Sequence, residues 1–543
     1  MEFNFDLGVP DQESFIQQTK QLNVGDLLRK ATRMYSDRVL VSEPGRDVTY
    51  EEFNERVNSL ANALLERGYE KGEAKVAVLS ENRGEFLEPI FAGAKLGYLV
   101  PALNWRLERE ELIHCAELVD PDALIVSDRY REKAGWIEEE MDEPPEIIHL
   151  DGGDGDLEYE TLIDDGSTDE PAPDYDVDPE QGLVVLYTSG TTGLPKGVVI
   201  SHRAWLARGY TYVIDWEMQE GDGWLGWGPM FHIIAVDAMP GVLTLGGTYY
   251  PTDGFDTERI VDILLEDGGG IGWLYLLPGV INDFLDYIEE NDVDVDEMRD
   301  IRAIGALVDL VDPKKVKRVT EMFDMPFKNS YGATEDANVL SAGNDIPVGV
   351  LPDDDDLAKA ESSFVDLKLI DEEWNEVEGR GELAARGPTL SSGYINNPEA
   401  NREDFNDGWF RTGDIFVYNE EDGTYSFVNR RKYLIKSGGE NIYPAEIEKV
   451  LLQHQEIENA TVVRVSDEKW GEVPRAVVST YNPEQVTTDE LMEMLRNEIA
   501  NYKLPHYVEI VHPDDLPRSA TGKIVREEVE DWEPDEENRV REV

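Results

Sequence analysis

A polar loop constrains this chain more than any other feature of its sequence. Residues 187–198 read Tyr-Thr-Ser-Gly-Thr-Thr-Gly-Leu-Pro-Lys-Gly-Val, which places hydroxyls, glycines and one lysine in a single turn. Glycines let backbone N–H groups converge on an anion, hydroxyls donate to its oxygens, and Lys196 adds positive charge. Apolar runs at 183–187 and 198–200 flank the loop, so we expect it to join two strands and to hold a polyphosphate. It is not the Walker A pattern, because no Gly-Lys-Ser/Thr closes it.

Composition bounds the class of protein. A chain of 543 residues is too long for one small core, and two to four structural units are expected. Acidic residues number 116 against 49 basic ones, for a net charge of −67. Because the acids are spread among apolar segments, the pattern indicates adaptation to high salt; an ordinary acidic cytosolic protein is the alternative. Nucleic-acid binding by a basic patch is excluded.

The sequence carries few signs of export or membrane insertion. Cys115 is the one cysteine, so no internal disulfide can form and an intracellular setting fits. The first residues lack a positive region followed by an apolar core, and no apolar run approaches the roughly 20 residues of a membrane span. We therefore expect a cytoplasmic protein without a membrane span. Whether it forms a homodimer stays open.

Hydrophobic periodicity predicts an α/β fold. Apolar residues recur at helical spacing over 51–67, 86–95 and 108–118, and continuous apolar runs at 76–79 and 123–126 are typical of buried strands. This alternation implies layers around mostly parallel sheets. The acidic stretch 151–181 is predicted to be a loop. Over the last ~110 residues short strands and helices alternate, which predicts a small α+β unit.

The polar loop resembles the phosphate loop of the adenylate-forming superfamily, which includes acyl-CoA synthetases, luciferases and the adenylation domains of peptide synthetases. Further blocks of that superfamily follow in the same order, so the resemblance covers nearly the whole chain. It implies that Thr188 takes part in catalysis. It also implies nucleotide contacts from the loop at Thr188, Ser189, Gly190, Thr191, Thr192, Gly193 and Lys196.

Residues 329–335, Asn-Ser-Tyr-Gly-Ala-Thr-Glu, resemble the adenine and magnesium block. By this resemblance Tyr331 offers its ring to adenine, Thr334 a hydroxyl to the α-phosphate, and Glu335 a carboxylate to Mg²⁺, a hard cation that prefers oxygen. Gly332 and Ala333 are implied nucleotide contacts, and Thr334 and Glu335 are implied catalytic residues.

Two later blocks imply the ribose site and a pivot. Residues 408–414, Gly-Trp-Phe-Arg-Thr-Gly-Asp, imply that Asp414 accepts both ribose hydroxyls. A plain surface charge is one reading of Arg411, and no catalytic role is assigned to it. In the block from residue 429 to 444, Arg430 is implied to contact the ribose beside Asn429, and Lys432 to sit at the pivot. Asn429 and Tyr433 depart from the family pattern, which has Gly or Asp and an acid there.

The same block implies the coenzyme A site. Two glycines would let the loop pass close to the pantetheine, and the implied contacts are Lys436, Ser437, Gly438, Gly439 and Glu440.

The remaining blocks imply the reacting end of the site. In Gly-Pro-Met-Phe-His at 228–232, His232 is implied to position the reacting carbonyl in the acyl pocket. Gly305, where the family's Gly-Gly-Ala is degenerate, is implied to line the same pocket. In Leu-Pro-Arg-Ser-Ala-Thr-Gly-Lys-Ile at 516–524, Lys523 is the principal catalytic residue, because a lysine there can stabilise charge on both the carboxylate and the α-phosphate.

The resemblance implies an N-terminal domain over 1–428, a hinge at 429–432 and a C-terminal domain over 433–543, with the active site between them. It implies that a carboxylic acid reacts with Mg·ATP to give an acyl-adenylate and pyrophosphate. The small domain then swings, and coenzyme A takes the acyl group.

Three hypotheses follow. The first is a ligase for medium- or long-chain fatty acids, favoured by Asn-Trp-Arg-Leu at 104–107 and the segment 434–440. The second is an aryl- or short-chain-acid ligase of the same fold. The third, a non-catalytic nucleotide- or acyl-binding protein, is disfavoured by the intact blocks and Lys523.

Overall fold

The computed structural model follows the chain from residue 22 to residue 540 with short gaps. The gaps are residues 153–156, 172–175, 189–193, 267, 278, 307–312, 341–344, 353–355, 438–439, 468, 519–523 and 536–537, and the side chains of 338, 440 and 441 are not described either. The described residues form a large N-terminal domain and a smaller C-terminal domain. The predicted α/β class is confirmed.

The helices lie mainly in the N-terminal domain. They are α1 Val24–Tyr35, α2 Tyr50–Glu66, α3 Leu87–Leu96, α4 Arg109–Val119, α5 Arg131–Glu140, α6 Tyr159–Asp165, α7 His202–Asp215, α8 Ile233–Val236, α9 Met239–Leu245, α10 Thr257–Leu265, α11 Ile281–Glu290, α12 Pro313–Phe323, α13 Pro398–Asp404, α14 Pro444–Leu451, α15 Thr488–Glu498 and α16 Arg526–Glu530.

The strands alternate with these helices. The first group, up to the middle of the chain, is β1 Val39–Glu43, β2 Arg46–Thr49, β3 Val76–Leu79, β4 Val100–Pro101, β5 Ala123–Val126, β6 Glu146–His149, β7 Leu157–Glu158, β8 Gly182–Thr188, β9 Lys196–Ser201, β10 Trp224–Gly226, β11 Tyr249–Pro251, β12 Ile271–Tyr275, β13 Ile301–Ala306 and β14 Phe327–Asn329. The second is β15 Tyr331–Ala333, β16 Ala337–Leu340, β17 Lys359–Ala360, β18 Asp366–Ile370, β19 Arg380–Arg386, β20 Phe405–Asn406, β21 Trp409–Asn419, β22 Thr424–Arg430, β23 Ile435–Ser437, β24 Glu440–Ile442, β25 Asn459–Asp467, β26 Gly471–Ser479 and β27 Tyr507–Val511.

Mostly parallel sheets build the first three hundred or so residues; the pair β8–β9, beside β4, is antiparallel. Strands β3, β5, β6 and β7 form one parallel sheet, β12, β13 and β14 another, and β1, β10 and β11 pair in parallel with β2 antiparallel at the edge. The strands β3 and β5 are buried along their whole length, as expected of strands covered by helices on both faces. One continuous hydrophobic core extends through these layers.

The larger sheets that follow are mainly antiparallel. Strands β17, β22, β21, β19 and β18 form a sheet before the end of the large domain. In the C-terminal domain β24, β23, β26 and β25 are antiparallel neighbours, and β27 pairs in parallel with β26. A separate core with Ile435, Leu491 and Val508 at its centre supports this smaller domain.

The predicted loop at 151–181 is partly wrong, because α6 lies within it. Tyr159, Leu162 and Ile163 have helical spacing and are buried, and Tyr159 donates a hydrogen bond to the carboxylate of Glu88 at 2.7 Å. Three apolar anchors therefore outweigh the acidic composition of the segment. Among the described residues, no helix has both the length and the apolarity to cross a bilayer.

A buried histidine joins the first helix to the sheet that follows the polar loop. His202 begins α7 and is fully buried, and its Nδ1 accepts a hydrogen bond from the N–H of Val24 at 3.2 Å. Burial lowers the pKa of His202 from 6.5 to about 4. Unfolded chains take up this proton near pH 6.5 and folded chains only near pH 4. The free energy of unfolding therefore falls across that window as pH falls, by about 3 kcal/mol when complete.

We expect His202→Asn to flatten this part of the pH profile. The amide cannot take up a proton, so the loss of unfolding free energy between about pH 6.5 and pH 4 should shrink relative to the parent protein. Urea unfolding in molar KCl at several pH values measures it. His512→Asn is the control, since His512 lies near the C-terminus with its side chain 42 % exposed. Equal slopes for the His202 variant and the parent would contradict the assignment.

Candidate functional site

The polar loop connects two antiparallel strands, as its flanking apolar runs predict. Thr188 at the end of β8 pairs with Lys196 at the start of β9, and Tyr187 pairs with Gly197. The strand register therefore holds Thr188 and Lys196 side by side at the base of the loop. The predicted contacts Ser189, Gly190, Thr191, Thr192 and Gly193 lie outside the described residues.

Lys196 faces two groups that come from far along the sequence. Its Nζ lies 3.2 Å from Asp404 Oδ2 on α13 and 4.6 Å from the ring centre of Tyr394. The Tyr394 hydroxyl donates to Glu335 Oε1 at 2.8 Å. A cation, a phenol and a carboxylate thus form one connected group, which we call the phosphate-end cluster: Lys196, Tyr394, Glu335 and Asp404.

Glu335 is the buried acid of this cluster. It is 9 % exposed. Burial raises the pKa of Glu335, and the Tyr394 hydroxyl and the Lys196 charge partly offset the rise. The site therefore favours a nearby cation, which would keep the carboxylate ionised.

The donor set fits Mg²⁺ carried on a nucleotide. Mg²⁺ commonly takes one or two carboxylates from the protein and the rest of its ligands from phosphate oxygens and water. In the part of the chain that the structure describes, no three His, Cys, Asp or Glu side chains form a group that could hold a metal ion. One buried carboxylate beside the polar loop fits a metal that arrives with a polyphosphate.

The predicted ribose residues come together on neighbouring strands of one sheet, with Tyr331 of the β15–β16 hairpin beside them. Asp414 on β21 is 2 % exposed. It accepts a hydrogen bond from the Tyr331 hydroxyl at 2.6 Å and lies 3.1 Å from Arg430 Nε. Asp414 and Arg430 are cross-strand partners in the β21–β22 register. The Tyr331 ring also packs edge to face on Phe416, with centroids 4.9 Å apart.

Strand β15 carries Tyr331 and the turn that follows carries Glu335, so the two clusters share one hairpin. Gly332 and Ala333 complete the strand, and the Ala333 N–H donates to Asp336 Oδ1 at 2.8 Å. Thr334 follows directly and offers its carbonyl oxygen to Arg208. The nucleotide block therefore lies between the phosphate-end cluster and the Tyr331–Asp414–Arg430 group.

Two residues of the neighbouring strands are buried, and one of them was misread from sequence. Arg411 is not a surface charge: it is 7 % exposed, and its guanidinium donates through Nε and Nη2 to both carboxylate oxygens of Glu382 at 3.1 and 2.7 Å. Its position on β21 turns it into the sheet, where only a carboxylate partner makes a buried charge tolerable. Asn429, next to Arg430, is 3 % exposed.

The segment proposed for the acid lies beside an aromatic layer. His232 precedes α8 and is half-buried, and Phe231 before it packs against Trp105 with centroids 5.8 Å apart. Gly305 lies on β13 opposite Lys328. A Cβ at Gly305 would come within 2.2 Å of the Lys328 carbonyl oxygen, so close strand packing alone requires glycine there.

Lys432 lies in a 3₁₀ turn, Arg431–Tyr433, directly after β22. Its ammonium forms an ion pair with Glu527 on α16, and the Tyr433 hydroxyl donates to the same carboxylate at 3.2 Å. Its carbonyl accepts from Arg464 Nη2 at 2.8 Å. Burial lowers the pKa of Lys432, and the Glu527 partner opposes that shift. The turn after β22 is therefore held by contacts to two C-terminal elements, α16 and β25.

The implied coenzyme A residues occupy the hairpin β23–β24. Lys436 is exposed, and its backbone N–H donates to Glu472 Oε2 at 2.8 Å, while Ser437 pairs with Glu440 across the hairpin. Gly438, Gly439 and the side chain of Glu440 lie outside the described residues. So does Lys523.

Sequence reasoning missed Tyr394, Asp404, Arg208 and Glu527. Tyr394 follows Ser-Ser-Gly at 391–393, a small polar turn in which Gly393 has a φ of +101°. That turn is the sequence feature that could have indicated Tyr394. The others sit on helices whose polar residues resemble an ordinary solvated face. Their partners are distant in sequence, which no local pattern indicates.

Profiles of two protein families match most of the chain. The profile of the AMP-binding enzyme family matches residues 28–395, and that of the AMP-binding enzyme C-terminal domain matches residues 446–523.

Individual relatives cover nearly the whole chain. A 2-succinylbenzoate–CoA ligase of Listeria monocytogenes is 30% identical over 511 residues, which span 93% of this chain and 98% of the relative. A long-chain-fatty-acid–CoA ligase of Mycobacterium tuberculosis is 30% identical over 512 residues, spanning 93% and 97%. In fold, the chain is similar to the o-succinylbenzoate CoA synthetase of Bacillus subtilis solved with its acyl-adenylate intermediate, at a TM-score of 0.78, 23% identity and coverage of 95% and 100%.

Proposed function

The chain belongs to the AMP-binding enzyme family, and we propose that it activates a medium- or long-chain fatty acid with ATP and transfers the acyl group to coenzyme A. It is an acid–thiol ligase in reaction class, as its relatives of both substrate types are. One observation carries the site assignment: Lys196, Glu335, Asp414 and Arg430, from distant parts of the sequence, meet around one hairpin.

The first half-reaction joins the acid to the nucleotide. A carboxylate oxygen attacks the α-phosphorus of Mg·ATP, the bond to the β-phosphate breaks, and pyrophosphate leaves with the electron pair. The polar loop with Thr188 and Lys196 would hold the phosphates, Thr334 would donate to the α-phosphate, and Asp414 with Arg430 would hold the ribose. Lys523 would stabilise the charge that grows on the α-phosphate.

The second half-reaction releases the acyl group. The coenzyme A sulfur attacks the carbonyl carbon of the acyl-adenylate, the bond to the AMP oxygen breaks, and the thiol proton is lost to solvent. His232 would position the carbonyl, and the hairpin from Lys436 to Glu440 would receive the pantetheine.

Domain motion would connect the two half-reactions. We place the N-terminal domain at 1–428, the hinge at 429–432 and the C-terminal domain at 433–543. Support comes from the end of β22 at Arg430 and the 3₁₀ turn that follows, where a few backbone angles can absorb a rotation. Location in the cytoplasm and assembly as a homodimer stay predictions.

An aryl- or short-chain acid is the second candidate. Trp227, which precedes the Gly228–His232 segment, stacks on Tyr275 with centroids 4.4 Å apart at 15°. A Cβ on Gly228 would lie 2.2 Å from the Tyr275 hydroxyl. This aromatic wall limits depth behind the segment and suits a flat or short acid.

A matched acid panel separates the candidates. Aliphatic acids of increasing length and aryl acids are offered with Mg·ATP and coenzyme A in molar KCl, and thiol consumption is followed. Highest kcat/KM for acids with long aliphatic chains supports the fatty-acid proposal. Highest kcat/KM for aryl or short acids supports the second candidate. Nucleotide binding without pyrophosphate release from any acid would support a non-catalytic binding protein instead.

We expect Glu335→Gln to raise the magnesium requirement. A neutral amide is a poorer ligand for a hard dication than a carboxylate, so half-maximal activity should need at least about tenfold more Mg²⁺. Titration of initial rate against free Mg²⁺ at saturating ATP measures this. Glu361→Gln is the control, because Glu361 accepts a hydrogen bond from the Leu367 N–H at 3.0 Å, away from the cluster. An unchanged titration and rate for the Glu335 variant would remove Glu335 from the metal site.

A further inference from the structure

We infer that Arg208 is a positioning residue for the nucleotide end of the site, and that Asp237 couples it to the segment that carries His232. The inference rests on the proposed function for the identity of the ligand, an adenine nucleotide. Arg208 does not touch that ligand in this account; it acts through the main chain of Thr334 and Glu335.

One guanidinium holds main-chain carbonyls from two separate segments. Arg208 lies on α7 and its side chain is fully buried. Its Nε donates to the Thr389 carbonyl at 2.8 Å, and its Nη2 donates to the carbonyls of Thr334 and Glu335 at 3.1 and 3.2 Å. A planar guanidinium fixes the directions of its N–H donors, so these contacts fix the position and orientation of the turn at residues 334–335.

Hydrogen bonds hold the main chain of the turn at residues 334–335, while the Glu335 side chain contacts a different part of the site. The Glu335 carbonyl also accepts from the Ser391 N–H at 2.7 Å. The Glu335 carboxylate is directed to the Tyr394 hydroxyl, in the phosphate-end cluster. Arg208 therefore aims the carboxylate and the Thr334 hydroxyl by holding the backbone that carries them.

Asp237 connects this support to the proposed acid end. It directly follows α8, and its N–H donates to the Ile233 carbonyl at 3.0 Å, so it is fixed to the helix that His232 precedes. Asp237 Oδ1 lies 3.7 Å from Arg208 Nη1, and both residues are buried. A movement of the turn at residues 334–335, or of the segment that carries His232, therefore changes the geometry of the Arg208–Asp237 ion pair.

Stability alone does not explain the pair. Within the described residues, Arg208 Nη1 and Asp237 Oδ2 have no hydrogen-bond partner. Buried polar atoms without partners are costly, and an apolar pair of the same volume often stabilises a core as well or better. Keeping an incompletely hydrogen-bonded ion pair against the main chain of the nucleotide block is what a positioning role predicts.

The test uses the full chain in molar KCl and AMP as the probe. In the double variant Arg208→Met/Asp237→Leu both charges are replaced by apolar groups, so no unpaired charge remains in the core. Calorimetry should show an AMP dissociation constant raised about tenfold, the scale of losing charged hydrogen bonds that hold a site. Urea unfolding should show a folded protein with a lower free energy of unfolding, because the Thr389 and Thr334 carbonyls lose this donor. Arg208→Lys keeps the positive charge but loses the planar, forked guanidinium. Its AMP dissociation constant should lie between those of the parent protein and the double variant.

The control is the matched double variant Arg56→Met/Glu88→Leu. Arg56 Nε donates to Glu88 Oε1 at 2.6 Å in the same domain, away from the nucleotide block. Its AMP dissociation constant should stay within about twofold of the parent value.

Each outcome decides between the alternatives. A folded Arg208→Met/Asp237→Leu variant with parental AMP affinity would overturn the inference. If that variant does not fold, Arg208→Lys decides, since parental AMP affinity there excludes a role for the fork. A parent protein that binds AMP but releases no pyrophosphate with any acid would overturn the proposed function and leave this inference standing on the binding data.

Discussion

Replacing Lys523 with alanine is expected to abolish most acyl-adenylate formation while sparing thioester formation from supplied acyl-adenylate. Adenylation brings an anionic carboxylate to a polyanionic nucleotide, and negative charge grows at the α-phosphate. A single preorganised positive group is worth about a hundred- to a thousandfold in rate in such sites. The second half-reaction needs no such group at the phosphate, because AMP leaves as a stable anion. Pyrophosphate release and acyl-CoA formation, measured separately, report the two steps.

The control is Lys469→Ala. Lys469 is also a lysine of the C-terminal domain, but its Nζ lies 5.0 Å from the exposed Trp470 ring. Its removal should leave both half-reactions unchanged. Equal losses in both half-reactions of the Lys523 variant would mean that this lysine serves the fold or the nucleotide site as a whole, and no loss would remove it from catalysis.

The second large effect is expected when salt is removed. With a net charge of −67, acidic side chains across each domain repel one another once screening weakens. The Debye length is about 3 Å at molar salt and about 30 Å at 0.01 M. Exposed acids occur in both domains, for example Glu138, Glu139 and Glu140 at the end of α5, and Asp489 and Glu490 on α15. Far-UV circular dichroism and activity should therefore fall together as KCl is lowered from molar to tens of millimolar.

Two additions make this measurement selective. Mg·ATP should partly protect the protein, because a ligand that binds only the folded state stabilises it. Sucrose at matched osmolality should protect less than KCl, since it does not screen charge. A native spectrum and full activity in dilute buffer would refute the high-salt adaptation and leave the ligase assignment untouched.

Local elements were largely predictable from sequence because their signals are local. The strands at 76–79 and 123–126 have the predicted bounds. Each is buried along its whole length in a parallel sheet, so its apolar run spans the whole strand. Helix α2 begins one residue before its predicted start because Thr49 and Glu52 form a capping box. Helix α6 was missed because its three apolar anchors are embedded in acidic sequence.

The residues of the candidate site also divide into those that local sequence predicted and those that it did not. Residues in compact blocks, such as Tyr331 and Asp414, were identified by resemblance and lie in contact. Partners across the fold were not, because the Lys196–Asp404 ion pair joins residues 208 positions apart. Arg411 was misread because sequence alone does not say which face of β21 is covered. The antiparallel sheet around β21 and β22, which turns Arg411 inward and holds Asp414 against Arg430, depends on such long-range pairing.

The most direct test of the account is a single-turnover experiment with the purified chain in molar KCl. Enzyme, Mg·ATP and a preferred acid are mixed without coenzyme A, and pyrophosphate and enzyme-bound acyl-adenylate are quantified. Coenzyme A is then added. We predict a burst of close to one pyrophosphate per active site, an equal amount of acyl-adenylate, and its discharge to acyl-CoA and AMP on addition of the thiol. Pyrophosphate release that does not depend on the acid, or an acyl-adenylate that coenzyme A does not discharge, would contradict the two-step ligase mechanism.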